Sequence, residues 1–250
     1  MRGVVRLLRK IHRCLYLAAV LSFFMLFYPL LFLLAKDPER YSRHIARCRR
    51  IIGFLSSTFV GIFYRFRLET PIDWSKPCII CANHTSNLDI TAMVLLCPSD
   101  FSFMGKIELL DNPVTGMFFS TIDIPLNRQS KISAFKAFKQ ADNNIRNGRS
   151  MVIFPEGQIG EEFPPRLYDF KNGPFKLAIE TQVDIIPVVI HNAWKIFWDE
   201  GKRFGSRPGI VHIDVLTPVG TANLRLEHAD EVRNEVHARI KKHWNRTGGL

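Results

Sequence analysis

The chain has 250 residues, 47% of them hydrophobic, and its 34 Lys and Arg against 23 Asp and Glu leave a formal charge of +11. That composition excludes disordered and collagen-like classes and fits one domain of roughly 200 residues with an extra segment. A mean hydropathy near zero in so basic a chain means that a concentrated apolar block offsets a very polar remainder.

The block comes first. Cys14 to Ala35 is 22 residues without a charge, about 33 Å as a helix and enough for the hydrocarbon of a bilayer. Arg2, Arg6, Arg9, Lys10 and Arg13 precede it. It is too long for the apolar core of a signal peptide and no clear cleavage site follows, so a retained membrane segment is expected. The far flank, from Lys36 to Arg50, is as basic as the near one, so charge orients no single span. A spanning helix and a helical hairpin returning to one face both remain open. The next uncharged run, Ile51 to Tyr64, is too short to span and reads as re-entrant or interfacial, or else as a buried helix of the following domain. Basic clusters beside an apolar block favour anionic lipid over nucleic acid as the partner.

Beyond Arg65 short apolar runs alternate with polar helical stretches. Strands are predicted at residues 66–69, 78–82, 101–104, 122–125, 151–154, 185–190 and 211–216. Lys131 to Asn147 is predicted helical with Ile132, Phe135, Phe138 and Ile145 near one face, and Glu227 to Trp244 with Val232, Val236 and Ile240 inward. The alternation implies an α/β domain over 65–250 with a mostly parallel sheet flanked by helices, behind an N-terminal membrane-anchoring segment, 1–64. Five cysteines without framework spacing point to reduced thiols in a cytosol-facing protein. Cys78 and Cys81, in a strand, would face opposite ways.

Chemistry concentrates in Cys81 to Ile90, CANHTSNLDI. In open α/β sheets functional groups gather at the carboxyl ends of strands, where Asn83 and His84 would lie. His84 and Asp89 are five residues apart, roughly 140° around a continuous helix, so they meet only if His84 sits in a loop before the helix. The carboxylate would then hold one tautomer and make the free ring nitrogen a better base.

NHTSNLD, Asn83 to Asp89, resembles the NHxxxxD signature (HX4D) of the glycerolipid acyltransferases, a family that includes the lysophosphatidic acid acyltransferases. MGKIELL around Lys106, DIPLNR ending at Arg128, FPEG at Phe154 to Gly157, and IPV at Ile186 to Val188 are similar to that family's further blocks, in its order. The resemblance implies a glycerol-3-phosphate acyltransferase-like fold. It also implies transfer of a fatty acyl group from acyl-CoA or acyl carrier protein, the donor substrate, to the sn-2 hydroxyl of lysophosphatidic acid, with no further cofactor or metal. His84 would be the general base and Asp89 its orienting partner, without an acyl-enzyme. Arg128, Lys106 and Lys171 would hold the acceptor's phosphate, Glu156 and Gly157 its glycerol end. Amides at the start of the helix after His84 are candidates for the oxyanion.

One departure stands out. The family's third block commonly continues FPEGTR, whereas here Gln158 and Ile159 follow Gly157. Arg166, Lys171 or Lys176 could supply the missing cation, or the acceptor could be another lysolipid, such as a lyso-aminolipid. The site is expected at the membrane surface, facing the cytoplasm. Removal of residues 1–35 is expected to cost activity on bilayer substrate far more than folding.

Overall fold

The computed structural model describes residues 2–246. Two helices lead: α1 (Arg2–Leu34) and α2 (Pro38–Phe59). Asp37 separates them, accepting a hydrogen bond from the Arg40 amide at 3.2 Å ahead of Pro38 in the first turn, a capping arrangement that starts α2. α2 ends at Phe59, and Gly61, with a φ of +73°, turns the chain into β1 (Ile62–Leu68). The apolar run 51–64 is therefore the end of one helix and the start of a strand.

The remaining elements alternate. β2 (Ile79–Ala82) leads to α3 (Leu88–Leu96), and β3 (Phe101–Lys106) to the short α4 (Thr115–Phe119). β4 (Ile124–Leu126), α5 (Lys131–Arg146), β5 (Ser150–Ile153), α6 (Gly173–Thr181) and β6 (Ile185–Ile190) follow. A single-turn α7 (Ala193–Ile196) opens a small hairpin, β7 (Phe197–Trp198) with β8 (Gly205–Ser206), before β9 (Gly209–Val215) and the closing α8 (Ala229–Arg246). The seven-stranded sheet runs β1-β9-β6-β2-β5-β3-β4. Every pairing in it is parallel except β6 with β9, so the five strands from β6 to β4 present their carboxyl ends along one edge.

Alternation along the central strands builds the two faces. Ile80 and Ala82 join one core with Met93, Val188 and Ile213. Ile79 and Cys81 join the other with Phe175, Ile179, Val236 and Ile240. Cys78 belongs to the first core and Cys81 to the second, and both are free thiols.

Two expectations need correction. On α5 the inward ladder is Ala137, Ala141 and Ile145, whereas Ile132 and Phe135 are 71% and 70% exposed. At about 100° per residue Ile132 lies some 140° from Ile145, which no single stripe spans. The second concerns independence. α1 is not a detachable tether: Tyr16 packs edge-on against Phe197 at 5.3 Å within the first core, and His12 bridges Val60 O and Ser206 Oγ, both at 2.9 Å. Further along, Phe24 and Leu31 bury against Ile45, Ile52 and Phe118.

Candidate active site

β2 ends at Ala82, and Asn83 locks the chain there, donating to Ile190 O at 3.0 Å and accepting from the Ile190 amide at 2.8 Å. This clamp joins the ends of β2 and β6 and starts the turn that carries His84. Because α3 begins only at Leu88, the turn brings His84 Nδ1 to 3.1 Å from Asp89 Oδ2. The same oxygen accepts the amides of Thr85 at 2.6 Å and Ser86 at 2.8 Å. Asp89 is fully buried, and burial pushes its carboxyl up against those three donors. With Nδ1 on the carboxylate, Nε2 is the ring nitrogen left for a substrate.

The strand-end loop of β5 supplies the other wall. Phe154 stacks on the His84 ring, centroids 4.0 Å apart and 13° from parallel, which fixes the imidazole plane. Glu156 is 4% exposed and accepts the amide of His84 at 2.7 Å and that of Tyr168 at 2.8 Å. Burial pushes its carboxyl up to about 8, against those two bonds. It therefore holds the backbone of His84 in place from beneath. Gly157 has a φ of +83°, where side chains are strained, and its bare α-carbon faces the Arg128 guanidinium.

These loops enclose a cavity of about 300 Å³ at the carboxyl edge of the sheet. His84, Lys106, Arg128 and Gly157 line it together, and Phe103, Leu109, Phe118 and Phe119 give it apolar walls. Gly105 makes those walls possible, since a Cβ there would lie 2.6 Å from the Phe119 ring and 2.9 Å from Leu109. Asp89 and Glu156 stand behind the lining rather than in it. Lys171, at the foot of α6, is exposed and does not reach the cavity. Ile159 lines it directly, so an apolar side chain occupies the wall. Neither Arg166, paired with Glu162 at 3.0 Å, nor Lys176 lines it.

Two charged lining residues escaped sequence reasoning. Arg49 reaches the cavity from α2, both Asp123 oxygens accepting from its Nη1 at 2.9 and 2.8 Å, with Phe101, Phe103 and Phe118 around the guanidinium. Nothing among the ten Lys and Arg of α1 and α2 marks one of them as buried. Glu200 enters from the hairpin loop, where burial and Asp199 push its carboxyl up and Lys106 opposes them. The amides expected to hold an oxyanion are already engaged, Thr85 and Ser86 by Asp89, Leu88 by Ser86 Oγ, and Asp89 by Ser86 O.

A family model described as Acyltransferase matches residues 64–191. The chain is 31% identical over 186 residues to 1-acyl-sn-glycerol-3-phosphate acyltransferase beta of Homo sapiens, covering 70% of this chain and 63% of that protein. It is 28% identical over 173 residues to the 1-acyl-sn-glycerol-3-phosphate acyltransferase of Saccharomyces cerevisiae, covering 67% and 56%. The crystal structure of the 1-acyl-sn-glycerophosphate (LPA) acyltransferase PlsC from Thermotoga maritima shares the fold, with a TM-score of 0.79 at 20% identity over 100% of this chain and 99% of that one. The chain spans about half to two thirds of the length of the curated relatives it matches, 65%, 63% and 48% of the first three.

Proposed function

The chain belongs to the acyltransferase family, and from that premise we propose that it transfers a fatty acyl group from a thioester to the sn-2 hydroxyl of 1-acyl-sn-glycerol-3-phosphate. The product would be phosphatidate, made for phospholipid synthesis at a membrane surface. The observation that carries this reading is the His84 and Asp89 pair at the mouth of a cavity with cationic Lys106 and Arg128 and apolar walls. Such a lining suits an acceptor with a phosphate at one end and a hydrocarbon chain at the other.

The acceptor hydroxyl attacks the thioester carbonyl while His84 Nε2 takes its proton, and Asp89 stabilises the imidazolium that forms. Collapse of the tetrahedral intermediate forms the ester, breaks the carbon–sulfur bond and returns the proton from His84 to the leaving thiolate. The nucleophile belongs to the substrate, so no covalent enzyme intermediate is needed. Arg128 and Lys106 bind the acceptor's phosphate, and Arg128 gives the forked contact. Glu156 positions His84 through its backbone amide. The segment Gly3–Leu34 is long and apolar enough to cross a membrane by length and composition. Its outward Leu8, Leu15, Leu26 and Leu33 hold the protein at the bilayer that supplies acceptor and takes product.

Ile159 in the cavity wall favours a second reading, an acceptor without a phosphate, such as a lyso-aminolipid. Transfer of labelled acyl groups from acyl-CoA and acyl carrier protein to lysophosphatidate, a lyso-aminolipid and lysophosphatidylcholine separates the two. Preference for lysophosphatidate, lost in Arg128→Ala with a KM raised at least about tenfold, is the expected result. A poor rate with lysophosphatidate beside a good one with a phosphate-free acceptor would transfer the assignment to the second reading.

A further inference from the structure

The described residues form a second cavity, about 370 Å³, at the opposite edge of the sheet from the first. Its walls come from α2, from the loops that lead into β2 and β3, and from Gly148 in the turn before β5, all at amino ends of strands. β3 separates the two places. Its first residue, Phe101, lines this cavity and its last, Lys106, lines the catalytic one, roughly 17 Å along the strand.

The charge comes from α2. Arg43, Arg47 and Arg50 stand at the helical spacing that puts side chains on one face, and all three line the cavity. Among the described residues no acid pairs with any of them. Arg50 is half-buried, and its Nε donates to Val94 O at 3.1 Å, which fixes the guanidinium from one side. Burial pushes the pKa of that group down, and Arg49 and Arg47 push the same way, so the cation is short of counter-charge. The acid of the lining, Asp100, is already engaged: its Oδ2 accepts from Ser42 Oγ at 2.7 Å and from Arg149 Nε at 3.2 Å. Trp74, packed against the first core, adds a flat apolar wall.

Like charges around one concavity repel one another and raise the local potential in favour of an anion. A phosphomonoester answers several guanidiniums at once. Its second pKa of about 6 gives it nearly two charges at neutral pH, and its three oxygens take forked contacts. A phosphodiester or a carboxylate brings a single charge and two free oxygens, and an acidic protein surface is too large to enter.

We propose that this cavity is a second anion site, which binds a phosphomonoester group apart from the catalytic cavity. The group can come from a small soluble ester or from the headgroup of phosphatidate, whose phosphate is a monoester. The site stands on its own observations and does not depend on the acyl-transfer reading.

Trp74 supplies the readout, since no tryptophan is among the described residues that line the catalytic cavity. The full chain in neutral detergent micelles is titrated with glycerol 2-phosphate and, separately, with micellar phosphatidate and phosphatidylglycerol, while tryptophan emission is followed. The part of the change that disappears in Trp74→Phe belongs to this cavity. A saturable Trp74 change with a phosphomonoester is expected, and it should persist in Arg128→Ala. An Arg43→Gln, Arg47→Gln double variant should raise its Kd at least about tenfold, the low end for losing charge-assisted hydrogen bonds. Both arginines are exposed, and an unshifted melting temperature checks that the variant is folded. A response to glycerol 2-phosphate identifies a soluble source and a response to phosphatidate alone a lipid source; either supports the site. Calorimetry on Arg128→Ala catches binding that leaves the emission unchanged. No Trp74 change and no binding heat in that variant, with either ligand, overturn the proposal. So does an equal response to phosphatidylglycerol, which would mean adsorption to a charged surface. A response lost in Arg128→Ala and kept in the double variant overturns it too, by placing the phosphate in the catalytic cavity. No arm measures acyl transfer, so failure of the acyltransferase reading would leave the result standing.

Discussion

His84 owes its position to three neighbours of different kinds: a carboxylate on Nδ1, an aromatic ring against its face and a carboxyl group under its amide. Replacing it with Ala should lower kcat at least about 10²-fold, the low end for losing a general base, and near-normal turnover in His84→Ala would end the proposed mechanism. Glu156 makes a separate prediction. Its carboxyl is pushed up to about 8 from an ordinary 4.5, so between those values the native state holds a proton that the unfolded chain has released. Its contribution to stability is therefore full below the ordinary value and is lost as pH rises through about 8. His191 and His237, pushed down by burial, act with the opposite sign, weakening the fold as pH falls. Only the difference between wild type and Glu156→Gln isolates the carboxyl. Thermal melts from about pH 5 to 8 should show the wild type losing stability relative to Glu156→Gln as pH rises; parallel curves would mean that the group titrates normally.

Element pairings were legible where a pattern had one physical cause. The predicted strands all occur because β-branched runs bounded by polar residues fit a sheet buried on both faces, and α8 turns inward the three residues that its 3.6-residue period selects. The hairpin β7–β8 was not legible, because two residues per strand make no period. Nor was the role of α2, since a helix with several arginines reads as a solvated basic face until a partner is placed against it. Arg49 and Asp123 are 8% and 2% exposed at their side chains, and they fasten α2 to the entry of β4. Arg49→Met should destabilise the protein by about 3–5 kcal/mol, because Asp123 is left buried without its counter-charge. Denaturant unfolding measures this, and a change under about 1 kcal/mol would show the pair to be dispensable.

For the molecule as a whole, the parallel strands bring residues far apart in sequence to one edge, and α1 packs against α2 and the β7–β8 hairpin. Burial of Tyr16, Phe24 and Leu31 is worth about 1.5–3 kcal/mol for each large side chain, and the surfaces they cover would be exposed by truncation. Deleting residues 1–35 should therefore lower Tm by roughly 10 °C or more, as well as activity on bilayers. An unchanged melting temperature would restore the picture of a separable anchor.

The order of the motifs, the sheet they punctuate and the chemistry of the His84 and Asp89 pair follow from local patterns, since each rests on residues within one turn or one strand. Lys106, Arg128 and Gly157 were legible as motif positions, but their convergence depends on which strands pair. Folding alone put Lys171 outside the cavity and Ile159 in its wall, because a loop's path is set by what it packs against rather than by its own sequence. The same holds for Arg49, for Glu200 and for the basic cavity beside α2. Each depends on contacts between segments many residues apart, and no local periodicity records such contacts.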